Sequence, residues 1–159
     1  MRYEISQKLW TFGDDFGIRD ETGRDRYYVD GKAFSFGKQL SFQDDTKKEV
    51  AFISQKVFAF TPTFRIKKQG RVVAILKKKF MTVRPQFILD VPGPNDYLIV
   101  GDFFGHEYTI KQDSRDVARI SKRFFSFTDS YGVDISGGDT ILFLCAVVII
   151  DLVLHNKKN

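Results

Sequence analysis

Cysteine, histidine, tryptophan and proline are all scarce in this 159-residue chain, which has one Cys, two His, one Trp and four Pro. A single cysteine excludes an internal disulfide, and two histidines add too few soft ligands for a structural zinc site, so no metal or cofactor is expected. A reducing compartment is the natural setting. No long apolar run stands near the first residues. Met1 to Trp10 alternates polar and apolar side chains and lacks the roughly 7 to 15 apolar residues of a signal peptide, so a cytoplasmic protein is expected. The one long apolar stretch, Ile141 to Leu154, is interrupted by Asp151. As a helix it reaches about 21 Å, short of the roughly 30 Å of a hydrocarbon core, so it is not a transmembrane span. Acidic residues are missing from Val50 to Leu89, where Lys56, Arg65, Lys67, Lys68, Arg71, Lys77, Lys78, Lys79 and Arg84 stand without one Asp or Glu. The net charge of +5 therefore hides a basic block on a mildly acidic body.

What is present is a folding composition, 43% hydrophobic and 28% charged with 17 Phe, and a length that fits one domain, residues 1–159. The aromatic residues recur. Trp10, Phe12, then Phe16 and Ile18 are matched by Phe34, Phe36, then Leu40 and Phe42, and again by Phe58, Phe60, then Phe64 and Ile66. Weaker copies centre on Val83, followed by Phe87 and Leu89, and on Phe104, followed by Tyr108 and Ile110. A sixth is clear at Phe125, Phe127, then Tyr131 and Val133. The reference positions 12, 36, 60, 83, 104 and 127 are 21 to 24 residues apart. Each copy is an aromatic, a small residue, an aromatic, a turn and two apolar positions spaced by one, which is a β-hairpin pattern. A second turn falls between copies, as at Asp20 to Gly23 and at Gln69 and Gly70.

Six such repeats predict 12 antiparallel strands between about residues 3 and 135, joined by short connections. Closing that meander into a barrel removes its two exposed edges. After Gly137 and Gly138, Asp139 or Thr140 caps a helix over about residues 139–155 that is apolar on every side down to Asp151. Such a helix must be buried all round. An 11-stranded can holds a central helix, so 12 strands have room for one about 10–12 Å across. The fold expected is mainly β, a closed 12-stranded barrel enclosing its C-terminal helix.

On Gly101, Asp102, Phe103 and Phe104, on Val117, Ala118, Ile120, Ser121 and Lys122 with Phe124 and Phe125, and on Tyr131, Gly132, Val133, Asp134 and Ile135 before the apolar helix, the chain resembles bacterial members of the LURP-one-related family. That family belongs to the tubby C-terminal-like superfamily, which includes the phospholipid scramblases. The resemblance covers essentially the whole chain and implies a 12-stranded barrel around a hydrophobic helix. Because tubby domains bind phosphoinositide headgroups through basic side chains, it also implies a lipid-binding or membrane-adjacent scaffold. The Cys-rich and acidic features of scramblase-like members are absent.

The candidate anion site is Lys67, Lys68, Arg71, Lys77, Lys78 and Lys79, flanking the turn at Gln69 and Gly70. Alternation sends Lys77 and Lys79 to one face and Lys78 to the other, at the barrel end. Lipid headgroups or nucleic-acid phosphate suit such a cluster, and so does an acidic protein partner. A solvated, edge-protecting face stands beside both. Asp151 needs a buried partner and is expected to meet a loop or a basic residue near the barrel mouth. Cys145, inside the apolar helix, is expected to be packed and inert. His106 and His155 are expected at the surface, and Asp14, Asp15, Asp44 and Asp45 in turns. No acid/base pair, phosphate loop or nucleophilic triad is present, so a non-enzymatic protein is expected. The aromatics could stack single-stranded nucleic acid, but their regular recurrence points to packing around the helix.

Overall fold

A two-residue spacing of apolar side chains after each turn makes strands with one greasy face, and such faces must pack on something. The computed structural model describes residues 1–7, 15–34, 37–102, 106–124 and 129–155, the side chains of 32–34, 123, 124, 129 and 155 excepted. Its strands are β1 (Arg2–Gln7), β2 (Phe16–Asp20), β3 (Asp25–Phe34), β4 (Gly37–Asp44), β5 (Glu49–Gln55), β6 (Thr63–Lys68), β7 (Arg71–Lys78), β8 (Gln86–Asp90), β9 (Tyr97–Gly101), β10 (Glu107–Gln112), β11 (Arg115–Phe124) and β12 (Asp129–Ile135). Each pairs antiparallel with its neighbours in sequence, and β1 closes the sheet on β12 with Tyr3 opposite Val133 and Ile5 opposite Tyr131. The closed 12-stranded barrel of the sequence reading is the observed fold.

The single helix, α1 (Thr140–His155), begins where the Asp139 carboxylate accepts the Leu142 amide at 3.1 Å. Every side chain from Leu142 to Val153 is buried. The paired apolar positions after each repeat turn face inward against it: Phe16 and Ile18, Leu40 and Phe42, Phe64 and Ile66, Phe87 and Leu89, Tyr108 and Ile110, and Tyr131 and Val133. Large residues face small ones across the ladder, with Phe42 opposite Ala51, Ile66 opposite Ala74 and Ile110 near Ala118. That alternation makes room for α1. Register shifts follow Ile18, Phe42, Ile66 and Ile110, so the same bend recurs after the second core residue of four repeats.

The barrel has two unlike ends. At the turn end, where α1 begins, tight polar turns join β2 to β3 and β4 to β5. Asp20 accepts the Thr22 hydroxyl at 2.6 Å and the Thr22 and Arg24 amides, and Asp44 does the same with Thr46 and Lys48. The hydroxyl bonds above all hold both carboxylates below their ordinary range. At the loop end the connections from β5 to β6 and from β7 to β8 carry the first half of the third and fourth repeats, and here the sequence reading needs correcting. It carried the strands on through Phe60 and Val83 and packed those residues against the helix. β5 instead ends at Gln55 and β7 at Lys78, and Phe58, Phe60 and Val83 are exposed. Proline is the reason. Pro62 and Pro85 stand just before the returning strands and have no N–H to extend the ladder, so the last pairings are Lys56 N–H to Thr63 O and Lys79 N–H to Gln86 O. Trp10, Phe12, Phe36, Phe104, Phe125 and Phe127 lie outside the described residues, as does the side chain of Phe34.

Phe143 is buried in the core, edge-on to Tyr97 at 5.0 Å between ring centroids. Phe143→Ala is expected to cost about 3–5 kcal/mol, read from the denaturant midpoint. Deleting residues 141–154 removes the surface on which the barrel wall packs. The expected result is loss of cooperative unfolding, and a shortened chain that stays monomeric and unfolds cooperatively would refute the enclosed-helix core.

Candidate functional site

The six basic residues singled out from the sequence lie along one hairpin, β6–β7, which spans the barrel wall. Lys67, Lys68 and Arg71 stand at the turn end, and Lys77, Lys78 and Lys79 at the loop end. The seven residue steps from Arg71 to Lys78 put about 23 Å between the two groups, so they form no single cluster. The turn-end group is partly matched by acid. Lys68 Nζ lies 2.7 Å from Asp139 Oδ2, which ties the hairpin to the start of α1. The loop-end group has a different setting. Lys77 and Lys79 are exposed, while Lys78 has the inward parity of Ala74 and Leu76 and is half-buried at the barrel end, its amide bonded to Pro62 O at 3.0 Å. Lys56 and Arg84 are exposed at the same end.

Between these cations the two loop-end connections expose Phe58, Phe60, Phe80, Met81 and Val83. The sequence reading missed them as surface residues, although parity marks two of them. Ala51 and Ile53 set the inward face of β5 on odd numbers, so Phe58 and Phe60 have the outward parity even before Pro62 ends the ladder.

Two of the residues that carried the family resemblance, Gly101 and Tyr131, pack the interior. Gly101 lies under the Tyr108 ring, and a Cβ there would come within 2.6 Å of it. Tyr131 donates its hydroxyl to Asp151 Oδ1 at 2.6 Å, so the one charged position of α1 meets a wall tyrosine in the buried core. Asp102 Oδ1 accepts the His106 amide at 2.8 Å. The Tyr108 hydroxyl is buried with no hydrogen-bond partner among the described residues, and burial pushes its pKa up to about 12. Cys145 is packed in the core and burial pushes its thiol up, so it is no nucleophile. His106 is exposed, and the side chain of His155 lies outside the described residues, as does Asp14. Asp15 accepts the Gly31 amide at 2.9 Å. Among the described residues no three His, Cys, Asp or Glu gather as metal ligands, and no helix is long and apolar enough to cross a membrane.

Comparison with known proteins agrees with this geometry. A family profile described as LURP-one-related matches residues 1–151. The chain is similar in fold to an X-ray structure of an Arabidopsis thaliana protein, with a TM-score of 0.68 and 13% sequence identity, covering 96% of this chain and 91% of that one. No curated protein matches it.

Tyr108 allows a direct check of the interior. Its folded pKa of about 12 lies above the ordinary value near 10, so its contribution to stability is intact below about pH 10 and is lost as pH rises towards 12. Tyr108→Phe removes an unsatisfied hydroxyl without changing ring volume. Stability at pH 7 is expected to hold or rise by up to about 1 kcal/mol, with a shallower alkaline loss in pH-dependent denaturation.

Proposed function

The chain belongs to the LURP-one-related family, and on that premise we propose that it is a non-enzymatic cytoplasmic scaffold, acting as one unit over residues 1–159, that binds anionic phospholipid headgroups at a membrane surface. The basic hairpin Lys67, Lys68, Arg71, Lys77, Lys78 and Lys79 supplies the cations. The observation that carries the reading is charge segregation along the chain. Over residues 50–89, which form β6, β7, most of β5 and β8 and their loops, nine basic side chains stand without one carboxylate. Clustered lysines near a surface attract an anionic leaflet with about 1 kcal/mol each, whereas charges of mixed sign cancel. Lys68 is matched by Asp139, whereas Lys77 and Lys79 are exposed at the loop end.

Sedimentation with phosphatidylserine–phosphatidylcholine vesicles tests this against phosphatidylcholine vesicles alone. Binding is expected only to the anionic vesicles and is expected to weaken steeply with salt. Replacing Lys77, Lys78 and Lys79 with Glu should reduce partitioning by about 100-fold or more, from three contributions of about 1 kcal/mol each. Equal partitioning to both lipids, or none to either, overturns the reading. In the latter case an acidic protein becomes the partner to seek.

A further inference from the structure

Six of the nine large apolar side chains exposed among the described residues sit on two adjacent loops at the loop end: Val57, Phe58 and Phe60 between β5 and β6, and Phe80, Met81 and Val83 between β7 and β8. Apolar side chains exposed singly need no explanation, but a contiguous cluster does. Phe60, Phe80, Met81 and Val83 line one groove, with Val57 and Phe58 on the same loop as Phe60. The rings of Phe60 and Phe80 meet edge-on with centroids 4.9 Å apart, and the loops border an open groove of about 490 Å³. Phe58 is 97% exposed, so packing within the barrel cannot account for it.

The backbone points the same way. Among the described residues, five that are not glycine have a left-handed conformation. Lys47, Gln69, Asp113 and Ser114 are polar tips of tight turns at the turn end. Met81, with φ of +51°, is the exception, an apolar side chain held 85% exposed on a backbone that glycine or asparagine adopts with less strain.

Charge identifies what covers the cluster. Lys56 precedes the first apolar tip, Lys77 and Lys79 precede the second, and Arg84 follows it. Apolar groups therefore project from the loops with cations set behind them. An anionic bilayer presents the matching order in depth, phosphate and carboxylate groups above acyl chains. We propose that the loop end docks end-on against an anionic lipid bilayer, the six apolar side chains entering the boundary between headgroups and acyl chains while Lys56, Lys77 and Lys79 contact lipid phosphates. This rests on the anionic-lipid reading above and adds to it the end of the barrel that makes contact and insertion as the means. The turn end then faces water.

Site-directed spin labelling tests it on the full chain. The native Cys145 is buried and its thiol is pushed up, so a nitroxide reports from Met81→Cys at the loop end or Gln69→Cys at the turn end. With phosphatidylserine–phosphatidylcholine vesicles, the Met81 label should gain oxygen accessibility and lose contact with a water-soluble relaxant. The Gln69 label should stay aqueous. A second variant, Phe58→Ser with Phe60→Ser and Met81→Ser, should keep the thermal midpoint because these side chains are exposed, and should partition about tenfold or more weakly. Bound protein with both labels aqueous, with the Gln69 label inserted, or with undiminished binding of the serine variant overturns end-on insertion and leaves the anionic-lipid reading standing. No sedimentation with anionic vesicles removes that reading and this inference together. Self-association through the loops, seen by light scattering with the Met81 label shielded equally with and without vesicles, overturns it in favour of a second copy of the chain.

Discussion

A helix with no polar side has one stable place in water, inside something else. From Leu142 to Val153 every side chain of α1 is buried, and the rest of the molecule follows from the enclosure that this requires. An open sheet would cover one side of the helix and leave two edges unpaired, so the meander closes β1 on β12. A barrel of eight strands is filled by its own side chains, so enclosing a helix needs more of them. Room inside also depends on the alanines at 51, 74 and 118, which sit beside the bulky core residues of the neighbouring strands. The single carboxylate in α1 is tolerated because Tyr131 reaches it from the wall at 2.6 Å, since a buried charge without a donor would cost several kcal/mol.

Each repeat has two halves with different physical roles. The pair of apolar residues after the turn forms the core lining, repeat after repeat. In the third and fourth repeats the half before the turn lies beyond the last ladder bond, and Phe58, Phe60 and Val83 face solvent there, whereas Phe34 of the second repeat stays in the ladder opposite Gly37. The two barrel ends differ for the same reason. At the turn end, Asp and Thr side chains satisfy the backbone within a few residues. In the β5–β6 and β7–β8 connections at the loop end, proline stops the ladder and the longer loops carry apolar side chains and lysines. The turn end also anchors the helix, through Asp139.

Much of this was legible from residue order. The 21–24-residue period, the two-residue spacing and the apolar segment from Ile141 to Leu154 specify strands, turns, closure and an enclosed helix, because periodicity and burial are linked by geometry. Cys145 inside the apolar run and Asp44 in a turn were equally readable from their neighbours. The aromatics misled because recurrence marks equivalent positions without saying which way a side chain faces. Parity counted from Ala51 and Ile53 already separates Phe58 and Phe60 from the core.

The sequence by itself determined the repeat, the all-β wall, the central helix and the acid-free stretch from Val50 to Leu89, since each depends on local spacing or composition. Only the tertiary structure decided that Lys67, Lys68 and Arg71 lie at one end of the barrel and Lys77, Lys78 and Lys79 at the other, and that Phe60 meets Phe80 across two loops. A strand carries neighbours in sequence about 3.3 Å apart per residue, so residues close along the chain end far apart. Pairing of β6 with β7 then brings together loops about 20 residues apart in the chain.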